Sequence, residues 1–317
     1  MKKISVLLIL ALLTGMTAPC YAGILSERKA RIEQNQILKN NEIEIKALFN
    51  EQLKQANNHC LNGVGASFSN DFVSSDGFNK EVYLKLVEDT WETYKDISYT
   101  SKINNIEISG NYATVYMTET AVATPIEKVD GFELVGELYS ESRCVYHLKK
   151  HGTVWLIDSE RVIDETSTLK YGEARHCDVE LIAPKQVPAG KYYTSSFKIN
   201  APENTVIVAT INKDNIVYPR KDYPKAAFRT TASDNMLERV FTANKDNINE
   251  NVIASAGIAY TQQNDNDEIK VLMSGLVFIM TRVNVIPENK FVDLQAAKNK
   301  ADSDKNGKES VKNEQNK

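Results

Sequence analysis

The residues best able to bind a metal or to react are two adjacent pairs, His59-Cys60 and His176-Cys177. Together, these four side chains have the ligand types of a zinc site. Adjacent ligands usually point in different directions, and no Cys-x-x-Cys spacing accompanies them, so the sequence favours a disulfide or free thiols over a metal. A disulfide would join two of the three cysteines Cys60, Cys144 and Cys177, and the sequence does not choose the pair.

Two other groups of polar residues are weaker candidates for chemistry. His151 falls in a predicted turn and His147 on a predicted strand, and no Ser or Cys nucleophile accompanies either in a recognisable motif. The acidic run from Asp265 to Glu268 suggests calcium by composition, but it lacks the ligand series and the glycine of an EF-hand and is typical of a hairpin turn. The sequence therefore implies no cofactor and no metal.

The first 22 residues have the layout of a cleaved secretory signal. Two lysines precede an apolar run from Ile4 to Leu13, and small residues follow as far as Ala22. The run is too short for an ordinary membrane helix. We therefore expect an exported protein, either periplasmic or secreted. Lipidation at Cys20 is less favoured, because Thr-Ala-Pro precedes it in place of the usual lipoprotein pattern.

Length and charge limit the classes of partner. The chain has 317 residues, enough for two domains, and a formal net charge of −4 with its basic residues scattered. Neither a nucleic-acid surface nor an anionic-membrane surface is indicated. The last segment, 291–317, is almost entirely polar and is predicted to be disordered.

The elements that would position any site begin with two helices. Apolar residues recur at helical spacing from Leu38 to Ala56. A second helix, capped by Asn79, would place Tyr83, Val87 and Trp91 on one side. The segment between them, 57–79, is rich in Gly, Ser, Asn and Asp and is predicted to be a loop.

Beyond residue 96 the period changes to that of strands, and two hairpins follow. Ile97–Ser109 and Tyr112–Ala123 flank a Gly110-Asn111 turn, which sets Lys102 opposite Glu119. A second hairpin folds about His151-Gly152. It pairs Leu148 with Trp155, Tyr146 with Ile157 and Cys144 with Ser159, and it sends Asp158 and Glu160 to the other face.

The order helix, helix and long antiparallel strands, ending in Tyr146-x-Leu148-x-Lys150-x-Gly152-x-x-Trp155-x-Ile157, resembles the nuclear-transport-factor-2-like superfamily, also called the cystatin-like cone. The resemblance covers about residues 37–168. It implies an α+β fold in which two helices pack on a curved antiparallel sheet. Members include ketosteroid isomerases, polyketide cyclases, dehydratases and many proteins without activity. It also implies a homodimer through the open sheet face, which would carry Val145, His147, Val154 and Leu156.

The part of the chain after Arg175 has only strand-like runs and is predicted to be an all-β sandwich over 173–290, following a cone domain over 23–172. One run, Leu272 to Met280, is predicted to be a central strand buried on both faces. The predicted strands are Val179–Ala183, Tyr192–Ile199, Thr205–Ile211, Leu237–Thr242, Val252–Thr261 and Ile269–Val285.

The predicted cone face is poor in acid and base groups. Glu119 is the one carboxylate on it, and an ion pair with Lys102 would lower the pKa of Glu119 below the range that suits a base near neutrality. The leading hypothesis is therefore a non-catalytic binding or assembly protein that contacts a protein or glycan at the cell envelope.

The alternative is an isomerase, dehydratase or cyclase, or a carrier, acting on a small hydrophobic molecule. The resemblance then implies Glu119 as base and Tyr146 as hydrogen-bond donor. Its ligand-binding wall would be formed by Tyr146, Trp155, Trp91 and Met117, although the aromatic residues are more typical of ordinary core.

Overall fold

The computed structural model describes residues 18–129, 132–219, 229–230, 235–263 and 269–288. The chain divides into two compact units. The first contains the chain up to Thr120 together with Arg143–Arg161, and the second contains Ala121–Ser142 together with the chain from Val162 onward. The division therefore falls within long strands, whereas the sequence suggests one boundary near residue 172.

Among the described residues up to 172 there are three α-helices and six strands. In chain order they are α1 (Ala18–Asn57), α2 (Leu61–Gly65), β1 (Phe68–Ser74), α3 (Lys80–Thr93), β2 (Ser98–Ser109), β3 (Tyr112–Ala123), β4 (Ile126–Val129), β5 (Phe132–His151) and β6 (Val154–Gly172).

Helix α1 begins at Ala18, well before the predicted start at Leu38, whereas α3 forms where the sequence predicts the second helix. Among the described side chains of α1, Ile45 and Phe49 are the buried apolar ones, at 0% and 2% exposure. The backbone N–H of Val82 donates to the Asn79 side chain at 3.0 Å, which caps α3 as predicted. The predicted loop over 57–79 is wrong, because it contains α2 and β1. Strand β1 runs parallel to β6 and buries Phe68 and Phe72, so its apolar residues outweigh the local Gly and Asn content.

Strands of the first unit follow the order β2-β3-β5-β6-β1. Gly110 and Gly152 have φ values of 60° and 66° in the two hairpin turns, a conformation that favours glycine. The second turn consists of Gly152 and Thr153, one residue later than predicted. A two-residue turn there shifts the predicted pairing by two positions, which keeps the side chains near the turn on their predicted face: Tyr146, Leu148, Trp155 and Ile157 are all buried.

From residue 173 onward the described chain has a short 3₁₀ helix and eight strands. The 3₁₀ helix is Glu173–His176, and the strands are β7 (Asp178–Ile182), β8 (Gln186–Pro188), β9 (Tyr192–Asn200), β10 (Thr205–Asn215), β11 (Arg229–Thr230), β12 (Met236–Thr242), β13 (Glu250–Gln263) and β14 (Ile269–Ile286).

Each strand predicted after residue 175 corresponds to one of these strands. The second unit contains a three-stranded sheet, β12-β9-β7, and a larger one in which β11, β10, β13, β14 and the end of β6 are neighbours. Phe197 and Ile199 of the small sheet belong to the same hydrophobic cluster as Ile211 and Ile258 of the large sheet. The architecture of the chain is thus α+β, mostly antiparallel, with few helices.

The prediction that Leu272–Met280 is buried on both faces is wrong. Val277 and Ile279 are buried, but Leu272, Met273 and Phe278 are 52%, 64% and 39% exposed. The run is therefore a strand with one covered face, and its outer residues happen to be apolar.

Several predictions concern segments that the structure does not describe. They are the export signal as far as Thr17, the acidic run from Asp265 to Glu268, and the polar tail 291–317. Within the described part of the chain, no helix has the length and apolar character needed to cross a membrane.

Candidate functional site

A cavity of about 150 Å³ lies inside the first unit, between the helices and the sheet. Its walls are mainly aromatic and aliphatic. The aromatic wall residues are Phe49 from α1, Tyr83 and Trp91 from α3, Tyr99 from β2 and Tyr146 from β5. Concave, mostly apolar spaces with few polar groups are the usual form of a small-molecule site.

Glu119 of β3 is the one carboxylate among the residues that line this cavity. The Tyr146 hydroxyl donates to both carboxylate oxygens of Glu119, at 3.0 Å each. The Cys144 thiol also donates to this carboxylate. Tyr146 is fixed in turn by the ring of Phe49, at a centroid distance of 5.3 Å. A charged group is thus held at a defined place on an apolar wall.

Burial raises the pKa of Glu119 above its ordinary value, because loss of water disfavours the charged form. The hydrogen bonds from Tyr146 and Cys144 act in the opposite direction but do not cancel the effect of burial. Both of these donors are neutral groups. The carboxylate therefore has hydrogen-bond partners, but no cation lies beside it in the part of the chain that the structure describes.

Lys102 does not form the predicted ion pair with Glu119. Along β2 the even-numbered residues are exposed from Ser98 to Asn104, and the odd-numbered ones from Asn105 to Ser109. This one-residue change of phase turns Lys102 outward and brings Ser101 to the cavity wall. The expected lowering of the Glu119 pKa is therefore wrong in direction.

A second carboxylate, Glu160, is buried in this unit at 8% exposure. The burial pattern of β6 changes phase after Ile157, so Glu160 lies on the inner side, and the prediction that it faces away from the cone is wrong. Glu160 accepts a hydrogen bond from Tyr83. Burial, followed by the charges of Glu160 and Glu119, raises the pKa of Tyr83 well above its usual range.

The predicted ligand-wall residues are brought together in part. Met117, Tyr146 and Trp91 line the cavity, and the Trp91 indole donates to the Tyr99 hydroxyl at 3.1 Å. Trp155 is 2% exposed and does not line it; Lys150 lies over its ring instead, with Nζ 5.5 Å from the centroid. Trp155 is thus core, because its strand position places it outside the cavity.

Sequence reasoning missed Tyr99 and Glu160 as groups at or next to the cavity. The spacing of Tyr83, Val87 and Trp91 along α3 did indicate one wall, since residues four apart share a helix face. Nothing in the local sequence signals the phase changes that bring Ser101 and Glu160 inward.

Of the two alternatives that the sequence left open, a disulfide or thiols, the described residues show thiols. Cys60 is exposed, Cys144 and Cys177 are buried, and none of the three is in a disulfide. No three His, Cys, Asp or Glu side chains of the described segments are grouped as they would be around a metal ion.

Comparison with known proteins gives similarity to solved structures only, since no family model and no curated protein matches the chain. One match is a conserved protein from Planctomyces limnophilus, at 16% identity and a TM-score of 0.33, covering 39% of this chain and 94% of that one. Another is a hexachlorocyclohexane dehydrochlorinase, LinA-type3, from Novosphingobium barchaimii, at 13% identity and 0.35, covering 40% and 88%.

A ketosteroid isomerase-like protein from Erwinia carotovora atroseptica also matches, at 16% identity and a TM-score of 0.28, covering 38% of this chain and 92% of that one. At this level of similarity the likeness concerns the backbone of part of the chain. The chemistry of the cavity has to be argued from its own residues.

Proposed function

We propose that the first unit binds a small, mainly apolar molecule in its cavity, with a polar group of the ligand hydrogen-bonded to Glu119. One observation carries this proposal: a carboxylate held by Tyr146 forms the polar point of a cavity that is otherwise mainly aromatic and aliphatic. Such a carboxylate orients a ligand, and the apolar walls supply the contact area.

The size of the cavity limits the ligand. A dry cavity of about 150 Å³ in another protein admits benzene, so a ligand of roughly six to eight non-hydrogen atoms is expected.

The experiment is a titration of the full chain with 3,3-dimethylbutan-1-ol, followed by the NMR shifts of backbone amides. This alcohol has an apolar end and a hydroxyl donor for Glu119. We expect saturable shifts at the cavity residues. The variant Ala56→Phe places a ring in the cavity and should abolish them, whereas Lys54→Phe adds the same ring at an exposed site of α1 and should not. Equal behaviour of the two variants would contradict the proposal.

A second candidate function is proton transfer, of the isomerase, dehydratase or cyclase type. The raised pKa of Glu119 and its contact with the Tyr146 hydroxyl favour it, because a base is most effective when its pKa approaches the working pH. We would measure deuterium exchange at the α-protons of 3,3-dimethylbutan-2-one in heavy water. Exchange that depends on Glu119 would establish catalysis; exchange no faster than in buffer would leave binding alone.

The second unit is proposed to be a β-sandwich that serves in binding or assembly. Its two sheets share one hydrophobic cluster, which supports the sandwich. Export and a protein or glycan partner at the cell envelope remain predictions from the sequence. Fractionation of cells that express the full chain, followed by mass spectrometry of its N-terminus, would test export.

A homodimer through the face that carries Val145, His147, Val154 and Leu156 is likewise proposed. Val154 is 56% exposed, which is compatible with a contact surface, whereas Val145 is only 9% exposed and would contribute little to it. Analytical ultracentrifugation of the wild type and of Val154→Asp would test it: a dimer that Val154→Asp dissociates supports the proposal, and a wild-type monomer overturns it.

A further inference from the structure

Much of the wall of the cavity is aromatic. Five rings border it, those of Phe49, Tyr83, Trp91, Tyr99 and Tyr146. Aromatic faces carry a negative quadrupole, so a cation placed among them is attracted electrostatically, and most strongly when water is excluded.

The charged residues at the cavity are negative, like the faces of its aromatic rings. Glu119 lines it, and Glu160 is hydrogen-bonded to the wall residue Tyr83. Among the described residues that line the cavity, none is Lys, Arg or His. Burying a carboxylate without a counter-charge is costly, and a neutral ligand can offset that cost only by hydrogen bonds.

The groups already in contact with Glu119 compensate this cost only in part. Tyr146 and Cys144 are neutral donors, and Lys102 is turned to the outside. A ligand with a positive charge would supply the missing counter-charge and would meet the aromatic rings with its methyl or methylene groups.

We propose that the ligand of this cavity is a small organic cation, an amine or quaternary ammonium compound. The inference rests on the proposed function, which it makes more specific. The positive group lies against Glu119 and the rings of Trp91 and Tyr146, and the rest of the ligand contacts the aliphatic wall.

The test compares two molecules of the same shape, choline and its uncharged isostere 3,3-dimethylbutan-1-ol, by calorimetric titration of the full chain at pH 7. The attraction of a cation by several rings and a carboxylate predicts that choline binds tighter by roughly tenfold or more. Equal affinity, or a preference for the alcohol, would overturn the inference and leave the proposed function in place. Failure of both molecules to bind would overturn both.

Two variants assign the preference to its residues. Glu119→Gln keeps the shape of the side chain and removes the charge, so it should abolish the preference for choline while the alcohol still binds. Lys102→Gln removes an exposed charge from the neighbouring strand and should leave the preference unchanged. If Glu119→Gln fails to fold, Trp91→Leu tests the aromatic part, and we expect it to weaken choline more than the alcohol.

A pH series gives a readout that a merely structural Glu119 would not change. The affinity for choline should fall as the pH drops through the raised pKa of Glu119, because a protonated carboxyl offers no counter-charge. The titratable groups on the adjoining elements are Cys144, Tyr146, Tyr83 and Glu160, with His59 stacked on Trp91. If lowering the pH weakens choline binding equally in the wild type and in Glu119→Gln, Glu119 does not supply the counter-charge.

Discussion

Each unit of this protein has a glutamate that accepts a hydrogen bond from a tyrosine, and the surroundings of the two carboxylates differ. In the second unit, Glu250 is fully buried and accepts from Tyr193 at 2.8 Å, from Lys213 at 2.6 Å and from the backbone N–H of Asn244 at 2.8 Å. In the first unit, Glu119 has only neutral donors and faces a cavity.

The difference distinguishes a structural carboxylate from the one that is proposed to bind a ligand. Glu250 has a cation and enough donors to compensate its burial, so nothing about it requires a ligand. Glu119 has no cation, and its pKa is raised, so its charged form is less stable than in water. A partly buried carboxylate that borders a cavity and has no cation among the described residues beside it is a candidate functional group.

The largest expected loss of stability follows from removing the cation that pairs with Glu250. Lys213→Met would leave the carboxylate buried without its cation, and we expect a loss of about 3–5 kcal/mol in the free energy of unfolding. Denaturant unfolding followed by circular dichroism measures it. Lys198→Met, at an exposed site of β9, is the control. A loss no greater than in the control would show that Lys213 does not compensate the charge.

Removing the tyrosine hydroxyls compares the two carboxylates directly. Tyr146→Phe takes away a donor to both oxygens of Glu119 and should cost about 2 kcal/mol of stability. Tyr193→Phe leaves Glu250 with Lys213 and Asn244 and should cost about 1 kcal/mol. Thermal unfolding of both variants measures these losses of stability. A larger loss in Tyr193→Phe than in Tyr146→Phe would contradict the expected difference between the two carboxylates.

The pH dependence of stability should reveal Glu119. Because its pKa is higher in the folded protein than in the unfolded chain, the folded state binds more protons, and stability falls as the pH rises from about 4.5 through the folded pKa. Glu119→Gln removes this part of the dependence. We would measure unfolding of wild type and variant over that range, and parallel curves would show that Glu119 titrates normally.

The smallest effect is expected at Lys102. Its side chain is exposed, so Lys102→Ala should change the free energy of unfolding by less than about 0.5 kcal/mol. The pKa of Glu119, followed by carboxyl carbon NMR, should not move. A rise of this pKa in Lys102→Ala would show that Lys102 does interact with Glu119, as the sequence predicted.

Much of the secondary structure could be predicted from the sequence. The cap at Asn79, the limits of β3 and the strands after residue 175 follow local rules of capping, alternation and turn chemistry. The site was predicted in part: Glu119 and Tyr146 do meet. The wrong statements about Lys102 and Glu160 both come from assuming an unbroken alternation along a strand.

The sequence by itself determined which residues could face the cone, because side-chain period and turn position fix the faces of Tyr146, Leu148 and Ile157 even when the pairing slips by two residues. Only the tertiary structure decided which charges lie inside. A change of phase by one residue in β2 and in β6 reverses the face of every residue beyond it, and such a change depends on pairing with distant strands. Strict alternation along the strands therefore predicted that Lys102 would pair with Glu119. In the folded protein Lys102 is exposed, and Glu119 borders the cavity.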